Sequence, residues 1–342
     1  MKSIVVICLL LTSVFAKVPS LEHMISQMLV VGVGGSRLED KWVQQLQLNI
    51  KNDRVGGIIL LNKNIESPKK LKKMIASFKK IKVKYPLFIA TIQEGGNAQE
   101  LLKAKGFHSY PSVSDIGKTK NLNEASKIYK NLANELKEYG FNLNFGPVVD
   151  LSTKGFSTKA EIVISYANEF LDAQKNAGLI SAIKYFPGTG NNAYKSHKKI
   201  IDASKSWDYA ELKPYYYFAK YDKVRAVIVG HIKLDKFDEK NPASLSKNII
   251  NGLLREKLKF KGVVFSDDML VFQNSIGLKS AVIKAINAGV DVLVFSSYFT
   301  QKSSVVKEVT KIIIQAVKNG KIKKATIENS YKRIVRLKHG IN

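Results

Sequence analysis

A chain of 342 residues that is 45% hydrophobic and 24% charged can bury a large core and has the composition of a globular protein. The formal net charge of +27, from 55 Lys and Arg against 28 Asp and Glu, favours anionic partners such as a polyanion or an acidic protein. A lysine-rich proteome would give the same excess, so that explanation stays open, and no nucleic-acid-binding motif is present in the sequence.

Residues 1–16 have the features of a secretory signal peptide. Lys2 precedes a short apolar run, and small residues lead to Ala16, after which cleavage is expected. The run is too short to span a bilayer, although a retained membrane anchor is an alternative. The only cysteine, Cys8, lies in this segment, so the mature chain is expected to lack disulfides and thiol chemistry. We expect residues 17–342 to form a periplasmic or secreted domain without a transmembrane anchor.

Short apolar runs alternate with helical patterns along the mature chain. The runs are rich in β-branched and aromatic residues, which is typical of strands buried on both faces. The predicted strands are 28–34, 55–61, 87–92, 141–150 with its loop, the run from 181, 226–231, 262–267 and 290–295. The predicted helices include 38–48, 67–81, 121–139, 160–177, 249–258, 305–317 and 326–337. This alternation predicts a single-domain α/β protein, a (β/α)₈ TIM-type barrel; a doubly wound open sheet is the alternative.

Polar side chains follow several of these predicted strands. Asp267 and Asp268 end the seventh strand, while Lys184 and Tyr185 lie in the strand whose loop leads to His197. Catalytic groups of α/β barrels lie at the C-terminal ends of the strands, so we expect these side chains to converge there. No spacing of His, Cys and carboxylates indicates a metal site, and nothing in the sequence calls for a cofactor.

A set of motifs in a fixed order runs through nearly the whole mature chain. The stretches are Gln-Glu-Gly-Gly at 93–96, 142–150, Lys-Tyr-Phe-Pro-Gly at 184–188, Pro-Ala-Ser-Leu-Ser at 242–246, 260–268 with its Ser-Asp-Asp, and Asn-Ala-Gly-Val-Asp at 287–291. Together they resemble glycoside hydrolase family 3, in particular its bacterial single-domain β-N-acetylglucosaminidases that act on peptidoglycan fragments. The resemblance implies a barrel fold and retaining β-N-acetylhexosaminidase-type hydrolysis of cell-wall glycan.

The resemblance also implies roles for individual residues. Asp267 corresponds to the nucleophile, with helix capping as the alternative role, whereas capping is the expected role of Asp268. His197 corresponds to the acid/base of an Asp-Ser-His triplet, but Lys195 replaces the aspartate and favours a neutral imidazole. Asp202 is a candidate replacement carboxylate for that histidine.

Several family positions for sugar binding are altered. The aspartate and arginine that flank Gln-Glu-Gly-Gly in the family are Ile92 and Asn97 here, the histidine after Lys184 is Tyr185, and a later histidine is Thr189. The candidate substrate-binding residues are Lys184, Tyr185, Gln93, Glu94, Asp150 and His231. Lys184 has a structural alternative, an ion pair with Asp267 or Asp150, and a structural role is equally open for His231.

Two functions from different classes therefore follow from the sequence. One is an active hydrolase of cell-wall glycan, and the other is a catalytically inactive relative that binds glycan or an acidic partner as a scaffold. A third possibility is hydrolysis of a different sugar, because Ile92 and Tyr185 make the expected subsite more apolar.

Overall fold

The structure is a computed structural model that describes residues 19–191 and 199–341. Eight parallel strands form a closed barrel in which each strand pairs with its neighbours in sequence and the last pairs with the first. The strands are β1 (Leu29–Gly32), β2 (Gly57–Ile59), β3 (Phe88–Thr91), β4 (Leu143–Asn144), β5 (Ile180–Phe186), β6 (Ala226–Val229), β7 (Val263–Asp268) and β8 (Val292–Phe295). The predicted (β/α)₈ barrel is confirmed, and the pairing of β8 with β1 rules out the open-sheet alternative.

Helices surround the barrel. They are α1 (Leu21–Gln27), α2 (Lys41–Lys51), α3 (Pro68–Lys79), α4 (Val113–Thr119), α5 (Leu122–Tyr139), α6 (Ala160–Asn176), α7 (Leu212–Lys220), α8 (Leu278–Ala288), α9 (Val305–Lys318) and α10 (Lys324–Lys338), and a π-type helix spans Asn248–Lys257. The termini follow local chemistry: Asn121 and Glu124 form a reciprocal capping box at the start of α5, and Gly140 ends that helix in a left-handed conformation. Within the described ranges, no helix is both long and apolar enough to cross a bilayer.

Aromatic side chains from opposite sides of the barrel fill its interior. The ring of Phe265 on β7 lies 5.8 Å from that of Phe88 on β3 and 5.5 Å from that of Phe145, just after β4. All three side chains are buried. Each buried phenylalanine contributes about 1.5–3 kcal/mol through the apolar area it removes from water, so this cluster makes the barrel a solid core and confines chemistry to its ends.

The last helix is fastened to the N-terminal end of the barrel. Lys338 is buried, and its Nζ donates to the side-chain oxygen of Gln27 at 2.8 Å and to the carbonyl of Gly56 at 2.6 Å. The same ammonium lies 4.6 Å from the centre of the Phe88 ring. Burial lowers the pKa of Lys338 to about 7. This lysine therefore joins α10 to α1 and to the start of β2.

A second set of contacts that holds α10 against the barrel involves Asp291, immediately before β8. Its fully buried carboxylate accepts hydrogen bonds from Arg255 Nη2 at 2.7 Å, from Arg333 Nε and Nη2 at 2.9 and 2.7 Å, and from the Ser330 hydroxyl at 2.8 Å. Two guanidinium groups compensate the buried charge, so the carboxylate is stabilised and α10 is held beside the π-type helix.

Candidate functional site

The C-terminal end of β7 presents Asp267 at the mouth of the barrel. The residue is 7% exposed, and one carboxylate oxygen accepts the backbone N–H of Asp268 at 2.8 Å. Burial raises the pKa of Asp267 to about 7; the Asp268 charge acts in the same direction, whereas the Asp268 N–H and the Lys184 charge act against it. Its carboxyl therefore exchanges its proton close to neutral pH.

Asp268 has the capping role predicted for it. Its side chain accepts the backbone N–H groups of Leu270 and Ser296 at 3.2 and 3.0 Å, and the Ser296 hydroxyl at 2.5 Å. The first bond caps the short 3₁₀ helix Met269–Asn274, and the other two join β7 to the residue after β8. These bonds fix the backbone that carries Asp267.

Lys184 and Glu94 form a buried ion pair beside this carboxylate. Lys184 Nζ lies 2.6 Å from Glu94 Oε1 and donates to the carbonyl of Phe145 at 2.7 Å, while Glu94 Oε2 accepts the Val148 N–H at 2.6 Å. Both side chains are at most 3% exposed. The structural alternative to sugar binding by Lys184 is an ion pair with Asp267 or Asp150; the carboxylate in its ion pair is instead Glu94, which the turn after β3 brings to the end of β5.

Gln93 shapes the turn after β3. Its side-chain oxygen accepts the N–H groups of Glu100 and Leu101, both at 3.1 Å, and Asn144 forms two hydrogen bonds with its backbone, at 3.0 and 2.9 Å. The buried side-chain nitrogen of Gln93 has no hydrogen-bond partner among the residues described. Gln93 therefore organises the loop that positions Glu94, and its side-chain NH₂ group is a hydrogen-bond donor without an acceptor among the described residues.

Asp150 and Glu211 form an acidic pair on the β4 and β5 side of the mouth. Asp150 is buried and accepts the Tyr185 N–H at 3.2 Å and the Tyr215 hydroxyl at 3.4 Å. Burial raises the pKa of Asp150 well above its usual range, and the charge of Glu211 adds to the effect. Tyr185 is 4% exposed, and the centre of its ring lies 5.2 Å from Lys184 Nζ.

Glu211 was not identified from the sequence. Its Oε2 accepts the Leu151 N–H at 3.0 Å, and the backbone amides of Gly190 and Asn191 also donate to its side chain. Burial raises the pKa of Glu211 to about 7. A Cβ on Gly188, whose φ is +106°, would lie 2.5 Å from Glu211 Oε2, so only glycine permits this approach. An isolated glutamate at a helix start gives no sequence signal for such a role.

His231 stabilises the site from within the protein. The buried ring has Nδ1 2.7 Å from the Ser244 hydroxyl and Nε2 2.9 Å from the Asp268 carbonyl oxygen. Because a carbonyl only accepts, Nε2 carries the proton and Nδ1 accepts from Ser244. Burial lowers the pKa of His231 to about 4, so the ring is neutral at physiological pH. Both ring nitrogens are engaged with protein atoms, which makes His231 a positioning residue for the Asp267–Asp268 segment.

The candidate acid/base His197, with Lys195 and Ser196, lies outside the described residues. Asp202, its candidate partner, lies on the short strand Ile201–Asp202, which pairs with Ile232–Lys233. The Asp202 side chain is exposed and accepts the Ser204 N–H at 3.0 Å; bonds to Ser204 lower its pKa. The described ranges contain no cluster of three or more potential metal ligands.

Proteins of known family share this architecture. The family model described as the glycosyl hydrolase family 3 N terminal domain matches residues 20–337. A beta-hexosaminidase of Haemophilus influenzae strain Rd is 30% identical over 286 residues, which are 77% of each chain. A beta-hexosaminidase of Tolumonas auensis is 29% identical over 256 residues, 71% of this chain and 75% of that one.

Solved structures of similar proteins share the fold of this chain. A family 3 beta-N-acetylglucosaminidase from Paenibacillus superimposes with a TM-score of 0.84 at 26% identity over 94% of this chain, which spans 63% of that enzyme. M tuberculosis LpqI superimposes with a TM-score of 0.80 at 24% identity over 94% of both chains and shares the fold. With a family match from residue 20 to residue 337 on an eight-stranded barrel with Asp267 at its mouth, the chain belongs to glycosyl hydrolase family 3.

Proposed function

We propose that the protein is a retaining β-N-acetylhexosaminidase that hydrolyses cell-wall glycan, with Asp267 as the nucleophile and His197 as the acid/base. The observation that carries this proposal is the environment of Asp267. Its carboxyl lies at the C-terminal end of β7, and the buried Lys184 lowers its pKa against the effect of burial. A strand-end carboxylate held by its neighbour's N–H and close to a buried ammonium is suited to attack an electron-poor carbon.

The reaction would proceed in two displacements. In the first, an Asp267 oxygen bonds to the anomeric carbon while the glycosidic bond breaks, and the departing oxygen takes its electron pair and a proton from His197. In the second, water attacks the same carbon, His197 takes a proton from the water, and the bond to Asp267 breaks. The sugar leaves with its original anomeric configuration, and both side chains return to their starting protonation states.

The ionisation of Asp267 sets the acid side of the pH profile. Only the carboxylate attacks, and a pKa of about 7 in the free protein means that this form grows as the pH rises through neutrality. Lys184, held by Glu94 and by the Phe145 carbonyl, lies next to the nucleophile and favours the ionised form of Asp267. We expect this ionisation to form the acid limb of a bell-shaped kcat/KM profile, whose alkaline limb is the loss of the His197 proton that the departing oxygen requires.

Export would bring the enzyme to its substrate. The features of residues 1–16 support cleavage after Ala16 and a periplasmic or secreted location, where peptidoglycan fragments are accessible. The similarity to enzymes named beta-hexosaminidase and beta-N-acetylglucosaminidase supports an N-acetylhexosaminide as the sugar that is cleaved.

A second candidate, an inactive glycan-binding scaffold, is favoured by a specific observation. Lys195 replaces the aspartate that accompanies the family's acid/base histidine. Polar atoms at the mouth are also engaged within the protein, since Lys184 bonds to Glu94 and Phe145, and Asp150 bonds to Tyr185 and Tyr215. Such a site holds fewer free groups for sugar hydroxyls.

Covalent trapping separates the two candidates. The purified protein would be incubated with slow fluoroglycoside reagents of the N-acetylglucosaminide and glucoside types and examined by mass spectrometry. An adduct on Asp267, together with a loss of kcat by roughly 1000-fold or more in Asp267→Ala, supports the hydrolase. The matched control, Asp172→Ala, alters an exposed carboxylate on α6 and should still form the adduct. A folded protein that forms no adduct yet sediments with peptidoglycan would support the scaffold.

A further inference from the structure

A groove lined by basic side chains opens on the N-terminal face of the barrel. It has a volume of about 620 Å³ and lies between the ends of α7, α10 and the loop that precedes β7. Its positive side chains, which define what we call the basic groove, are Lys220, Arg225, Lys259, Lys261, Arg333 and Arg336. The groove contains one acidic residue, Asp222.

The basic groove is separate from the Asp267 site. Arg225 immediately precedes β6, and Lys259 and Lys261 precede β7, so they lie where these strands begin. Asp267 lies where β7 ends. The filled interior of the barrel stands between the two faces, and a ligand in the groove would leave the mouth open.

Composition alone does not explain the charge of the basic groove. Basic residues outnumber acidic ones by 55 to 28 in the chain, but by six to one in the groove. A larger groove of about 1080 Å³, bordered by α1, α2 and α9, provides an internal comparison. Its lining has three basic residues and two acidic ones. A general lysine bias would have affected both grooves alike.

Arginine usage makes the same point more sharply. The whole chain has only six arginines among its 55 basic residues, yet three of them, Arg225, Arg333 and Arg336, line the basic groove. A proteome bias toward lysine does not concentrate arginine in one place. The planar guanidinium fork matches the oxygens of a phosphate group in pairs, which the ammonium of lysine cannot do.

The arginines are partly preorganised and largely uncompensated. Arg333 is held by two hydrogen bonds to Asp291, which also binds Arg255, so this cluster contributes two positive charges and one negative charge. Within residues 19–191 and 199–341, no carboxylate oxygen lies within 4.0 Å of a charged nitrogen of Arg225 or Arg336. Their charges remain available to a ligand.

We propose that the basic groove binds a linear anion that carries several phosphate groups. The side chains that line the groove sum to a charge of +5, which exceeds what one phosphate group can neutralise. At Arg225 and Asp222 the groove continues into a recess of about 340 Å³. The recess adds Lys175 and Lys223, of which Lys223 lies 3.8 Å from the exposed Asp172, so the positive surface extends as a track mainly through Lys175. A concave track admits a chain of phosphates, whereas a flat lipid surface cannot reach its floor.

Calorimetry with a short inorganic polyphosphate at 0.15 M salt tests this site in the full-length mature protein. The variant Arg225→Gln/Arg336→Gln should lose at least tenfold in affinity and show a weaker dependence of affinity on salt, because fewer phosphates are neutralised. The matched control, Lys69→Gln/Lys73→Gln, removes two exposed charges from α3 and should stay within twofold of the wild type. Both variants should keep the circular dichroism spectrum and melting temperature of the wild type.

Three results would overturn the proposal. Equal losses in the two variants would show that polyphosphate binds to diffuse surface charge. Orthophosphate binding as tightly as polyphosphate would contradict a multi-phosphate ligand. Binding to phosphatidylglycerol vesicles that exceeds binding to polyphosphate and survives Arg225→Gln/Arg336→Gln would show that a lipid surface is bound elsewhere.

Discussion

Replacing Asp267 with asparagine should stabilise the protein at alkaline pH. The native pKa of Asp267 is about 7, whereas an aspartate in the unfolded chain titrates near 4. Below pH 4 both states hold the proton. Between pH 4 and pH 7 only the native state holds it, so the free energy of unfolding falls by about 1.4 kcal/mol per pH unit, and the total loss approaches roughly 4 kcal/mol. Asparagine does not ionise, and its oxygen can still accept the Asp268 N–H.

Urea unfolding at pH 5 and pH 8 measures this difference. The advantage of Asp267→Asn over the wild type should grow by a few kcal/mol between these two values, while other titrating groups cancel in the comparison. Asp202 provides a control, because it is exposed and its pKa is lowered rather than raised. Asp202→Asn should therefore not increase the free energy of unfolding at pH 8. Parallel pH profiles for the wild type and Asp267→Asn would refute the inference that burial holds a proton on Asp267.

Two further predictions concern the supports of the site. Lys184→Met should lower the free energy of unfolding by about 3–5 kcal/mol because Glu94 would be left as an uncompensated buried charge. Adding Glu94→Gln should recover most of that loss in the same urea assay. A loss below about 1 kcal/mol in Lys184→Met alone would contradict a buried ion pair. The ring of His231 should stay neutral from pH 8 down to pH 5, since burial lowers its pKa to about 4, and NMR of ring-labelled histidine would contradict this if His231 titrated near pH 6.5.

The barrel was predictable because its strands leave a strong signal in the sequence. Apart from Asp291, the run 290–295 is apolar on both faces, and the observed strand Val292–Phe295 lies within it. Eight such runs separated by helical patterns are compatible with few topologies, so the number of strands was enough to predict a closed barrel. Helices α4, α7 and α8 were not assigned beforehand, and the π-type hydrogen bonding of Asn248–Lys257 depends on packing that a periodic pattern does not encode.

The site was predictable only in part. The strand ends indicated Asp267 and Lys184, because a polar residue that ends an apolar run lies at the barrel mouth. The partner of Lys184 was missed, since the turn after β3 decides that Glu94 reaches it. Asn144 and Glu211 were missed as well, because a single polar residue that binds backbone amides has no periodicity to reveal it.

The hydrogen bonds of Lys338 join the last helix to residues near the start of the chain, so the complete set of barrel contacts requires nearly the whole sequence. Lys338 bonds to Gln27 and to Gly56 across sequence separations of 311 and 282 residues. Closing so long a loop costs entropy that only the final contacts compensate. The ring of strands closes through β8 and β1, but it gains these stabilising contacts only when α10 is present. A chain that stops before Ser330 would lack the contacts of Lys338 with Gln27 and Gly56 and those of α10 with Asp291. It would expose apolar core residues at the N-terminal end of the barrel and would be a substrate for proteolysis.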